Sequence, residues 1–302
     1  DKEDVVPWFD RFFGPRRDAR YVLVPGLLNG GCNFGATARG PEGVETIYHC
    51  AGVIRNEEEM ERVNVRGTSN IIDLAHKNNC RFVYLSSAGI VGKTTIPIID
   101  EQTSCQPHNP YEISKYKAEK IVTEAAKKGL RARILRPTTI FGAEMNPKNN
   151  SFLGLMRSMR NGSYRNIGKG GMYNIIHVDE VVAALELLDS DVLENGSIFC
   201  INDPIAYSTM DMIVKNTSLH ITKKTQHIPY FFAFVATIIL SALSLILRKP
   251  NPLTFSRLRA LTNKSVYSSE KLKESFAFVF AKSTTEHISE TSRAYINEGI
   301  LV

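Results

Sequence analysis

Short apolar runs alternate along this chain with longer stretches of helical period. Thr46-Ile47-Tyr48-His49-Cys50 and Arg81-Phe82-Val83-Tyr84-Leu85-Ser86-Ser87 read as strands, with a helical pattern over 58–79 between them. A second helical pattern covers 111–127, Arg131-Ala132-Arg133-Ile134-Leu135-Arg136 is a third strand, and helix 178–189 leads to a fourth, Ser197-Ile198-Phe199-Cys200-Ile201-Asn202. Tyr21-Val22-Leu23-Val24 reads as a further strand upstream. Alternation at this spacing predicts βαβ units, hence an α/β fold with a doubly wound parallel sheet covered on both faces. Ligands in such sheets bind outside the carboxyl ends of the strands. Ala51, Gly52, Ser86, Ser87 and Pro137 all fall at strand ends and are predicted to line one crevice.

The second helix carries the candidate chemistry. Asn109 suits an N-cap, Pro110 the first helical position, and Gly129 after Lys127 and Lys128 a stop, so the helix opens at Tyr111. Positions 111, 114, 115, 118, 122 and 125 form one stripe facing the sheet that carries Ser87. Tyr111 and Lys115 stand one helical turn apart on that stripe. A free Tyr titrates near about 10. A neighbouring ammonium is expected to lower that value toward the range of efficient acid/base catalysis, with the Ser87 hydroxyl orienting a substrate oxygen. His108 reads as loop, and His177 with Asp179 as a loop pin.

A different pattern occupies the last third. Thr225 to Leu247 contains no charged residue, and 228–247 is almost wholly apolar. Lys223 and Lys224 precede it, while Arg248, Lys249, Arg257 and Arg259 follow. About 20 such residues can span a bilayer. The chain after it still reads as part of the fold, however, and a membrane between the two would prevent them from completing one lobe. The expectation is therefore a helix lying in a membrane surface or capping the substrate pocket, with a true span and a buried core helix as alternatives.

Composition narrows the field. The 302 residues are 43% hydrophobic and 23% charged, ordinary globular material for one large domain or a domain with a lobe. The net charge of +6 is scattered, with no long basic run and no RNA-binding aromatic motif, so no nucleic-acid partner is expected. Five Cys without C-x-x-C spacing, and no secretory leader at the start of the sequence, predict an intracellular, reducing compartment. The seven His lack the i, i+4 spacing of a helical zinc site, and no metal is expected.

Six ordered motifs carry a resemblance: Tyr48-His49-Cys50-Ala51-Gly52, Asn64-Val65-Arg66-Gly67-Thr68, Tyr84 through Gly92, Tyr111-x-x-x-Lys115, Leu135-Arg136-Pro137 with Phe141-Gly142, and His177-Val178-Asp179-Glu180. From about residue 44 onward the chain resembles the extended short-chain dehydrogenases/reductases, the NAD-dependent epimerase/dehydratase superfamily. The resemblance implies a Rossmann-like domain over 44–205 and a smaller, mostly helical substrate lobe over 206–302, which borrows from 143–176. It implies NAD or NADP as cofactor, Tyr111 as catalytic acid/base, Lys115 lowering its pKa and holding the nicotinamide ribose, and Ser87 positioning the reacting hydroxyl. Ala51 and Gly52 would pass under the cofactor by backbone contact, Pro137 would touch the nicotinamide side, and Asn64 would steady the helix and strand behind the site. A homodimer is compatible with the resemblance.

The start of the chain departs from that pattern. None of the twenty Gly forms the Gly-x-x-Gly-x-x-Gly turn, and only 21 residues separate Val24 from Thr46, where two strands and their helices normally fit. Residues 1–43 are read as an atypical or truncated segment. The apolar segment and Asn251-Pro252-Leu253-Thr254 resemble the sterol and 3β-hydroxysteroid dehydrogenase branch. The expected function is oxidation of a secondary alcohol on a lipophilic, sterol-like substrate by a membrane-associated enzyme. One alternative is a nucleotide-sugar epimerase or dehydratase using Arg157, Arg160 and Arg165 for a diphosphate; another is a non-catalytic protein with a decayed cofactor site.

Overall fold

The computed structural model describes residues 21–24, 44–143, 145, 150–168, 170–204, 209–221, 226–247 and 254–301. Strands β1 (Tyr21–Val24) and β2 (Thr46–His49) lead into α1 (Glu57–Met60), a π-helical segment Glu61–Arg66 and α2 (Gly67–Lys77), which run without a break. The chain continues through β3 (Arg81–Leu85), β4 (Ile98–Ile99), α3 (Pro110–Lys127), β5 (Ala132–Pro137), β6 (Thr139–Phe141), α4 (Ser151–Arg160), β7 (Arg165–Ile167) and β8 (Ile175–His177). Next come α5 (Val178–Leu188), β9 (Ser197–Ile201), α6 (Met210–Ser218), β10 (Gln226–Ile228), α7 (Tyr230–Leu247), α8 (Phe255–Leu261), β11 (Val266–Tyr267), α9 (Glu270–Phe276) and α10 (Thr284–Asn297).

The main sheet has the order β1-β2-β3-β5-β9, and every pairing is parallel. Alternation along each strand divides its side chains between two cores, because successive residues point to opposite faces. Ile47, Phe82, Tyr84 and Ile134 pack with Ile71, Ala118 and Val122 under α2 and α3. Their neighbours Tyr48, Val83 and Leu135 pack with Val181, Leu185 and Phe199 on the α5 side. Both faces are covered, as the near-continuous apolar runs required.

The helix read over 58–79 is three pieces, its middle widened to π geometry. Apolar periodicity reports that a helix forms there, and Val63, Asn64 and Val65 are the buried residues of its π-helical middle. Each main-sheet strand ends within about two residues of its predicted limit, the ordinary scatter of element boundaries. Of residues 1–43, only Tyr21–Val24 lie within the described residues, paired in register from Tyr21 with Thr46 to Val24 with His49. The glycines at 26, 30, 31 and 35 lie outside them.

A third core joins α4, α6 and α10 through Phe152, Met156, Ile213, Ile288 and Tyr295. Two-strand pairs β6-β8, β7-β10 and β4-β11 complete the described part. Among the described residues no helix is long and apolar enough to cross a membrane. The buried-core alternative for 228–247 fails: Phe231 and Phe232 on α7 are 67% and 63% exposed.

Candidate active site

Ser87 sits just past the end of β3 in extended backbone and caps the 3-10 turn Ala88–Val91, its Oγ accepting from Gly89 N at 3.1 Å. Gly92 ends that turn at φ 72°, where an added Cβ would lie 1.9 Å from the Gln106 carbonyl oxygen, so only glycine fits. On the facing helix, Asn109 accepts from Glu112 N at 2.9 Å while the Glu112 carboxylate accepts from Asn109 N, a capping box that fixes the first turn. Tyr111 lies in that turn, and its side chain and that of Ser87 line one cavity.

Lys115, one turn on, is buried. Its Nζ donates to the Leu85 carbonyl at 2.6 Å and stands 4.4 Å from the centroid of the Tyr84 ring. Burial pushes the Lys115 ammonium down to about 8. It also raises the Tyr111 phenol above its ordinary value, with the Ser87 hydroxyl acting in the opposite direction. This corrects the expectation that Lys115 draws the phenol down. Desolvation is the largest influence on the phenol, and the ammonium is directed to the Leu85 carbonyl and the Tyr84 ring.

Asn64 projects from the π-helical segment. Its side chain accepts from Val53 N at 2.7 Å and donates to Val53 O at 3.0 Å and to Ser114 Oγ at 2.8 Å. It thus ties the loop after β2 to α3, behind the cavity wall. A Cβ on Gly52 would stand 3.6 Å from Asn64 Oδ1 and 3.9 Å from Lys115 Nζ, so its absence keeps the floor above the lysine open.

These elements enclose a cavity of about 850 Å³ lined by Gly52, Ser87, Tyr111, Lys115 and Pro137. The lobe contributes Asn174, Phe255, Arg259 and Tyr267 to the same cavity. Ala51 packs by its side chain into the core under α2 and α3. The open floor and the Ser87, Tyr111 and Lys115 donors fit the nicotinamide half of a dinucleotide. The segment expected to seat its pyrophosphate lies outside the described residues.

Sequence reading missed the clamp beneath the site. Glu119 on α3 is 3% exposed and accepts from Arg136 Nη2 at 2.6 Å, Arg136 Nε at 3.0 Å and Ser86 Oγ at 2.6 Å. It joins the ends of β3 and β5, which carry Ser87 and Pro137. Its signal was its place four residues beyond Lys115 on the inward stripe. The lobe residues Phe255, Arg259 and Tyr267 were also missed as site residues, since only the chain's return brings them near Tyr111; Tyr267 Oη donates to Ala88 O at 3.1 Å.

His177 caps α5, its Nδ1 accepting from Asp179 N at 3.3 Å. His177, Asp179 and His287 bring potential metal-ligand atoms within 4.8 Å of one another. The two imidazoles, however, stack at 3.9 Å and 12°, so their in-plane lone pairs run parallel rather than converging on one point. Arg157 and Arg160 donate to the carbonyls of Ile300 and Leu301, and Arg165 to that of Gly162. None of the three lines the cavity, so the nucleotide-sugar alternative finds no diphosphate partner in them there.

Comparison with known proteins gives a consistent picture. The sequence profile of the NAD dependent epimerase/dehydratase family matches residues 33–199, more than half of the chain. A mouse sterol-4-alpha-carboxylate 3-dehydrogenase, decarboxylating, is 27% identical over 280 residues, covering 84% of this chain and 75% of that protein. An Escherichia coli O157:H7 N-acetyl-alpha-D-glucosaminyl-diphospho-ditrans,octacis-undecaprenol 4-epimerase is 25% identical over 219 residues, covering 70% and 65%. Among solved structures, a UDP-glucuronic acid 4-epimerase from Bacillus cereus in complex with NAD superposes with a TM-score of 0.64 at 13% identity, covering 84% of this chain and 75% of that one. RMD from Pseudomonas aeruginosa complexed with NADPH gives 0.60 at 17% identity, covering 85% and 83%. The parallel sheet, the motif order and the profile match together show that this chain belongs to the NAD dependent epimerase/dehydratase family.

Proposed function

We propose that the chain is an NAD(P)-dependent oxidoreductase that interconverts a secondary alcohol and its ketone on a lipophilic, sterol-like substrate. The observation that carries this reading is the convergence of Ser87, Tyr111 and Lys115 on one cavity whose wall also bears Ile54, Ile140, Met172 and Phe255. In the oxidative direction, Ser87 Oγ holds the substrate oxygen and Tyr111 Oη takes the hydroxyl proton. Lys115, which lines the same cavity, would hold the ribose hydroxyls of a bound dinucleotide. The bound dinucleotide supplies the hydride acceptor. The likeness to the mouse sterol dehydrogenase over 84% of the chain supports the lipophilic substrate.

Tyr111→Phe is expected to lower kcat by about 10²–10⁴-fold, the span of a positioned acid/base, with an unchanged melting temperature. Turnover retained in that variant removes Tyr111 from the role. Lys115→Met should lower turnover nearly as far.

A second reading, nucleotide-sugar epimerisation, draws on the bacterial 4-epimerase relative and on Arg259, an exposed cation in the cavity wall. Thermal protection by a UDP-sugar and not by a sterol selects it.

A further inference from the structure

Helix α7 is packed inside out for a helix in water. Its small residues face the protein: Ala233 is 2% exposed within a cluster of Ile167, Leu258 and Ile228, and Thr237, one turn on, is fully buried. Its large residues face away, Phe231 at 67%, Phe232 at 63% and Ile239 at 55% exposure, followed by Ile238 and Leu243. A soluble monomer rarely shows a contiguous apolar face of this kind.

Either an apolar phase or a second copy of the chain could cover it. The sequence separates the two. The stretch Thr225–Leu247 is free of charge and is bracketed by Lys223 and Lys224 on one side and Arg248 and Lys249 on the other. Arg248 and Lys249 follow α7 directly in the chain, and the exposed Arg259 lines the cavity with Phe255. Two copies pairing in parallel through α7 would set Arg248 and Lys249 against their own copies, whereas an anionic leaflet is attracted by these cations while its acyl region takes the apolar face.

The face is also continuous with the catalytic cavity. The Phe234 ring packs edge-on against Phe255, centroids 5.9 Å apart at 66°. Phe255, itself half exposed, lines the cavity together with Arg259. We propose that α7 and Phe255 form a docking surface for an anionic bilayer, lying in its interface, and that the catalytic cavity opens there so that a lipophilic substrate enters from the lipid. Docking stands on α7 alone; substrate entry rests on the oxidoreductase reading above.

The test is flotation of the full chain with vesicles of phosphatidylcholine plus phosphatidylserine and of phosphatidylcholine alone. The protein should float with the anionic vesicles, less so at high salt, and the triple variant Phe231→Ser, Phe232→Ser, Ile239→Ser should lose about tenfold or more in partition while keeping its melting temperature. Tyr111→Phe should float like the parent, which separates loss of catalysis from loss of docking. For the entry route, Phe255→Trp in a Trp8→Phe background should be quenched by bromine-labelled acyl chains. A parent protein that stays behind with the anionic vesicles, or a triple variant that floats unchanged, overturns the docking. Self-association abolished by the triple variant without any vesicle binding assigns the face to a second copy. An unquenched tryptophan on a floated protein overturns the entry route.

Discussion

Buried ionisable groups set the pH behaviour of single residues in this fold. His49 is 1% exposed at the end of β2, with Nε2 2.9 Å from Thr68 Oγ1, and burial followed by the Lys115 charge holds its pKa down to about 3. An unfolded His titrates near about 6.5. Below that value the unfolded chain takes a proton that the folded chain refuses until about pH 3, so stability falls as pH drops through this window. The loss should be of order 2–3 kcal/mol at pH ~4.5. Denaturant melts of the parent and His49→Gln at neutral and acidic pH check it: the variant should show a flatter acid limb, and parallel limbs would discard the account. Lys115 runs in the same direction at higher pH. Its depressed folded value leaves a penalty that is fully present below pH 8 and relieved as pH rises toward the ordinary lysine range. Lys115→Met should therefore lose turnover yet melt no lower at neutral pH.

At the scale of elements, the site is held by ties between helix α3 and the strand ends. The Glu119–Arg136 pair is the most buried of them, each side chain 4% exposed. Removing one partner strands the other charge in a low-dielectric interior, which costs roughly 3–5 kcal/mol. Glu119→Gln is expected to lower stability by that order and to reduce activity by loosening the β3 end that carries Ser87. Arg136→Met paired with Glu119→Leu should recover much of the stability, because no charge is left unpaired. A single variant as stable as the parent would show that water or a neighbour compensates the arginine. The start of α3 was readable from Asn109 and Pro110, since a cap is a local device. The π segment before α2 was not, and Asn64 within it bonds to Val53 and Ser114 across the chain, 11 and 50 residues away.

For the whole molecule the decisive question is whether the nucleotide binds the chain as it stands. A ligand that binds only the folded state stabilises it by about 2.7 kcal/mol at a hundredfold excess over Kd. NAD(H) or NADP(H) is expected to raise the melting temperature accordingly, and the better of the two identifies the preferred cofactor. A chain that melts unchanged in every nicotinamide nucleotide would speak against the enzymatic reading for this polypeptide.

The sequence by itself determined the alternation of strands and helices, the division of Ile47 from Tyr48 and of Ile134 from Leu135 onto opposite faces, the opening of α3 at Tyr111, and the membership of Ser87, Tyr111 and Lys115 in one ordered motif set. These depend on periodicity and capping, which act over a few residues. Only the tertiary structure decided that the Tyr111 phenol is raised rather than lowered, that Glu119 holds Arg136, that Phe255 and Arg259 reach the cavity, and that α7 turns its phenylalanines outward. Desolvation and ion pairing are summed over atoms brought together from distant segments, and the chain carries no local mark of that sum.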